Sequence, residues 1–191
     1  MVISAVTANS TPVVRDWSPN GLNSTQMTFI MTAIRSTIQG FQRGLYNNGN
    51  FKISDQCLQS SFNDNMLKVE EAISSANYFN MIAAASPIYQ VAYNLQKSCN
   101  LNELSWMLMS VCEKGTCNVN QISANIVKNL FFITGSMNTI VELYVDGLKI
   151  KLNNLEQCES NFNEMGSEVG RIVRLLFGFN KNKIIDRSNF Y

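Results

Sequence analysis

The chain is 191 residues long, 46% hydrophobic and only 15% charged, with 15 basic against 14 acidic side chains and no histidine. That length suits one domain with a single buried core, and a formal net charge of +1 excludes the basic face that duplex nucleic acid requires. Without histidine there is no Ser-His-Asp or Cys-His pair, no HExxH zinc site and no imidazole-held haem.

The first residues, Met1 to Ala8 (MVISAVTA), are apolar and uncharged. They read either as the stub of a secretory signal ending at Val6-Thr7-Ala8 or as a start methionine before a mature chain. Asn9-Ser10-Thr11 and Asn23-Ser24-Thr25 are N-glycosylation acceptor sequences. Pro12 and Pro19, with Ser18, Asn20 and Gly21, make residues 1–23 an extended arm.

From Thr25 onward the apolar spacing is helical. Ile30, Ala33, Ile34, Ile38, Phe41 and Leu45 predict a helix over about 25–46, capped by Ser24 or Thr25 and stopped by Asn47-Asn48-Gly49. Ser54 or Asp55 starts a short helix through Cys57, Leu58 and Phe62, and a longer pattern runs from Met66 to Ile82. Ser86-Pro87 reads as a helix start carrying Ile88, Val91, Ala92 and Leu95. Asn100 or Asn102 caps the next helix, with Leu101, Leu104, Met107 and Leu108 on one side. Asn118 or Asn120 opens a long element through Ile122, Ile126, Val127, Leu130, Phe131, Ile140, Val141, Tyr144 and Leu148, with a kink expected at Gly135-Ser136. A last helix covers about 153–176. Phe51-Lys52-Ile53 is the only scrap of strand character. The pattern predicts an all-α, single-domain antiparallel bundle of about six helices over 24–178, followed by a tail over 179–191. No stretch reaches the ~18 uninterrupted apolar residues that span a bilayer; the best, Ile126 to Ile133, is broken by Lys128 and Asn129.

Five cysteines lack the spacing of a zinc ribbon or a thioredoxin motif. They fit either reduced core thiols or a disulfide-bearing secreted domain, and the second is the working expectation. Cys112 and Cys117 flank a short turn and are expected to pair, as are Cys57 and Cys99 across a helical hairpin. Cys158 is then left free or available to another molecule.

Two GxxxG spacings, Gly40/Gly44 and Gly166/Gly170, fall inside predicted helices. Glycine costs about 1 kcal/mol against alanine there, so both pairs point to a close helix crossing, the first long helix against the last. Nine methionines and eleven phenylalanines fit core packing or, alternatively, a lipid pocket; Trp106 is read as core. The carboxylates Glu70-Glu71, Glu142/Asp146, Glu156/Glu159 and Glu164/Glu168 read as solvated faces. Arg171, Arg174, Lys181, Lys183 and Arg187 cluster near the C-terminus among Phe177, Phe179, Phe190 and Tyr191, as a positive helix end or a docking tail. No residue is assigned a catalytic, cofactor or metal role.

The run Gly40-Phe41-Gln42-Arg43-Gly44-Leu45-Tyr46 with Cys57-Leu58, and the ending Gly166 to Val173 before Leu175-Leu176-Phe177-Gly178-Phe179, resemble small secreted or lumenal helical proteins abundant in ciliates. The resemblance implies a helical fold in an extracellular or lumenal compartment and carries no catalytic residue. The expected function is a non-enzymatic structural or assembly protein, its terminal arms docking on its own kind or on another extracellular protein. The alternative is a carrier of a small apolar lipid.

Overall fold

The computed structural model describes residues 22–75, 77–113 and 117–180, which form an all-α bundle with no strand among them. Its helices are α1 (Ser24–Tyr46), α2 (Asn63–Ser75), α3 (Tyr78–Ala83), α4 (Ala85–Lys97), α5 (Leu101–Glu113), α6 (Val119–Gly147) and α7 (Leu155–Phe177). A short 3-10 turn, Ser60–Phe62, precedes α2.

Helix ends follow asparagine. Asn23, one residue before the expected cap, accepts from the Gln26 backbone N–H at 2.9 Å while the Gln26 side chain accepts from the Asn23 N–H at 2.8 Å. This reciprocal pair satisfies two of the donors that a helix start leaves open. Asn47 ends α1 in the left-handed conformation, φ 52°. The apolar pattern from Met66 to Ile82 is not one helix: Asn77 turns its side-chain oxygen onto the Phe79 N–H at 2.9 Å and starts α3 afresh. Ser86 does not cap α4, which begins at Ala85, so Pro87 sits in the first turn where its missing N–H costs nothing. The kink in α6 lies at Asn129 (φ −110°, ψ 16°), not at Gly135-Ser136. There the Asn129 side chain donates to the Asn125 carbonyl at 2.9 Å, competing with the helix backbone. Phe51–Ile53 is irregular, and its Phe51 carbonyl accepts from Arg43 Nε at 2.8 Å.

The centre of the molecule is the contact of α1 with α7. Gly40 lies against the backbone of Asn163 and Ser167, Gly44 against Ser167 and Arg171, Gly166 against Thr37 and Phe41, and Gly170 against Phe41 and Leu45. Numbers rise together on both helices, so this pair is parallel, an arrangement open to helices far apart in the chain but not to neighbours joined by short links. A Cβ on any of the four would run into backbone of the opposite helix. α6 returns antiparallel to α7: Asn125 Nδ2 donates to the Leu176 carbonyl at 2.8 Å, and Asn161 Nδ2 to the Leu143 carbonyl at 3.1 Å.

Three apolar clusters seal this frame. Met27, Met31, Ile53, Cys57, Leu58 and Cys99 fill the space between α1 and the α2–α4 side. Leu45, Leu104, Met107 and Phe179 close the end where α5 meets the last turns of α1 and α7. Phe29, Ile150 and Cys158 close the other end, with the Phe29 and Phe162 rings edge-to-face at 6.4 Å. Phe179, placed by the sequence at the start of the tail, is therefore a core residue; the rest of the tail from residue 181 and the arm through residue 21 lie outside the described residues.

Candidate interaction surface

The cysteines set what can react. Cys57 and Cys99 form a disulfide, both fully buried, tying the loop after α1 to the α4–α5 link. Asn94 organises that junction, accepting from the Leu58 N–H at 2.8 Å and donating to the Gln56 carbonyl at 2.9 Å. Gln42, also buried, donates to the Cys99 carbonyl at 2.9 Å. Cys112 and Cys117 form the second disulfide, with Cα atoms 4.8 Å apart. Cys158 carries no disulfide and is fully buried, its thiol donating to the Phe29 carbonyl at 3.7 Å. A bridge from Cys158 to another molecule would require this end of the core to open.

Among the described residues no three of Cys, Asp and Glu stand close enough to hold a metal ion. Asp146 pairs with Lys149 at 3.0 Å on the surface and Glu168 with Arg171 at 3.7 Å. Burial, then the nearby Glu103, pushes the Tyr46 hydroxyl well above the usual tyrosine range. Arg174 donates from Nε to the Gly44 carbonyl at 3.1 Å, and burial followed by the neighbouring Arg171 lowers its pKa. These groups lock the shared end of α1 and α7. One cleft, of about 580 Å³, is lined by Arg35, Arg43, Lys52, Glu156, Glu159 and Glu164 among others, charged side chains rather than the methionines and phenylalanines of a lipid site.

Apolar surface is where the molecule departs from a self-contained bundle. Of the methionines, Met27, Met31 and Met107 are buried, whereas Met81, Met109 and Met137 are exposed. Trp106 is 50% exposed, not core. α3 and α4 expose Tyr78, Phe79, Met81, Ile82, Tyr89 and Tyr93. The largest departure is α6. Its inner stripe toward α7 is Ile133, Ser136 and Gly147, with Asn125 and Asn129 half-buried on the same side. Its outer stripe carries the bulk: Val127 at 76% exposure, Phe131 at 92%, and Leu130, Met137, Val141, Tyr144, Val145 and Leu148 beside them. Arg171 stacks over Phe132 at 5.6 Å, at the border between the two stripes.

The apolar spacing predicts α6 as a helix without saying which of these side chains has a neighbour, and the structure leaves most of them exposed. The legible signal was the width of the apolar arc: over residues 119–148 apolar positions cover more than the one face that a single neighbour can bury.

Of the glycosylation candidates, Asn23 is exposed at the start of α1, and Asn9 lies outside the described residues. Among the described residues no helix is long and apolar enough to cross a membrane. The chain matches no family model, no curated protein and no solved structure at a significant level.

Proposed function

We propose that this chain is a non-enzymatic assembly protein of the secretory pathway or the extracellular space, working by covering the outer stripe of α6 with another protein. The observation that carries the reading is that stripe. A helix of 29 residues, about 43 Å long, holds its anchor to α7 with Ile133 and with small and amide side chains, and turns most of its large apolar ones to solvent. Exposed apolar patches of that extent mark interaction sites. Two disulfides suit an oxidising compartment, and the likeness to secreted ciliate helical proteins agrees with it. A coat or filament subunit is the kind of role that such a surface serves, and the arms before residue 22 and after residue 180 would add to it.

Sedimentation of the native protein, recovered without denaturant from its source, tests this. The expected particle exceeds the 21.5 kDa of one chain, and Phe131→Lys returns it to that mass with helicity unchanged. A native particle of one chain's mass, the same with and without the substitution, overturns the reading.

A further inference from the structure

Resting on that reading, we infer that the partner on α6 is a second copy of this chain, bound α6 to α6 in antiparallel, two-fold symmetric fashion. The spacing along the outer stripe is a heptad seam. Val127, Phe131, Thr134, Asn138, Val141, Val145 and Leu148 follow one another at alternating steps of four and three, and all are exposed. The period is that of helices packed along their length, in which such a row faces the partner. The kink at Asn129 does not break the row, because Val127 before it and Phe131 after it are its two most exposed apolar members.

The flanks of the seam set direction. On one side Lys128, Gly135 and Glu142 recur every seven residues; on the other, Leu130, Met137 and Tyr144 do so. A two-fold axis perpendicular to the helix maps each flank onto the same flank of the second copy, running in reverse. Centred near Gly135–Asn138, it sets Lys128 against Glu142 of the second copy, Gly135 against Gly135, Met137 against Met137 and Leu130 against Tyr144. Thr134 then meets Asn138, a polar layer of the kind that fixes register in paired helices. A parallel pairing instead lays the charged flank on the apolar one and leaves Lys128 and Glu142 unmatched.

Independent observations agree with that centre. Lys128 and Glu142 make no ion pair among the described residues. Gly135 lies mid-helix, and among the described residues nothing lies within 4 Å of where its Cβ would be. The protein's own packing therefore gives no reason for a residue that costs about 1 kcal/mol in a helix, whereas close approach at a two-fold axis does. Area is sufficient as well. If each large side chain offers roughly 150–200 Å² when free, the outer stripe presents on the order of 1,000 Å². That exceeds the patch a monomer tolerates and matches the ~800 Å² per partner of a stable interface.

Analytical ultracentrifugation of the purified, disulfide-intact full chain across dilution tests the inference, with circular dichroism to verify folding of each variant. Wild type is expected to dimerise. Phe131→Lys is expected to weaken the dimer at least 100-fold, and Lys128→Glu or Glu142→Lys alone by about tenfold. The double variant K128E/E142K is expected to return to within about threefold of wild type. That rescue is what antiparallel pairing requires and what a merely sticky surface does not give. A dimer indifferent to all these charges, or single swaps without rescue, overturns the antiparallel arrangement. A purified chain that stays monomeric at all concentrations overturns self-pairing; if the native particle is still larger than one chain, the assembly reading survives with a different protein on α6.

Discussion

Gly44 and Gly135 show how little a residue type means until its neighbours are known. Both are helical glycines, yet a Cβ at Gly44 meets the Ser167 backbone and a Cβ at Gly135 meets nothing among the described residues. Gly44→Ala is expected to destabilise the fold by about 2–3 kcal/mol, because backbone cannot yield as a side chain can. Gly135→Ala should stabilise the monomer by up to about 1 kcal/mol. Urea unfolding at matched dilution in a Phe131→Lys background, expected to keep the chain monomeric, measures both. Tyr46 adds a pH effect. Its hydroxyl is held above the usual value of 10.0 by burial and by Glu103, so above that pH the folded state keeps a proton that the unfolded state gives up. Its contribution is complete below pH 10 and falls as pH rises further. Tyr46→Phe is expected to flatten this alkaline loss, as read from stability against pH.

At the scale of the element, the ends of helices were legible in part, as at Asn47 and Asn118. Asparagine is about one residue in eight here, and its side chain imitates the backbone at helix starts, as at Asn23, Asn77, Asn118 and Asn154. The same habit misled over Met66 to Ile82 and over the α6 kink, where an asparagine side chain outcompeted a good apolar pattern. For α6, periodicity reported the helix and its apolar arc but not which part of the arc had a neighbour. Ile133 faces the fold and Phe131 faces away, so Ile133→Ala is expected to cost about 2–4 kcal/mol. Phe131→Lys should cost the monomer no more than about 0.5 kcal/mol. Thermal melts below the concentration of self-association separate the two; equal losses would mean that α6 sits differently on α7.

The whole molecule is a frame of two parallel helices with a buried staple on one side and an open helix on the other. The Cys57–Cys99 bridge spans 42 residues and the Cys112–Cys117 bridge five. On loop entropy the first is worth about 4 kcal/mol and the second roughly 2. Removing the first pair as Cys57→Ser with Cys99→Ser should therefore lower the urea midpoint about twice as far as removing the second. Removing the buried pair also leaves two polar hydroxyls where Met27, Met31 and Leu58 pack, which adds to its loss.

By itself the sequence determined the all-α class, some helix ends such as Asn47 and Asn118, the glycines that demand a close approach and the absence of any histidine chemistry. Those properties are local: a hydrogen-bonding side chain, a missing Cβ or a missing imidazole acts wherever the chain goes. Tertiary structure alone decided that α1 and α7 run parallel, that Phe179 belongs to the core, that Cys158 is sealed under Phe29 and that α6 keeps its large apolar side chains outside. Burial depends on which elements arrive from elsewhere in the chain, and an apolar stripe reads the same whether or not a neighbour has covered it.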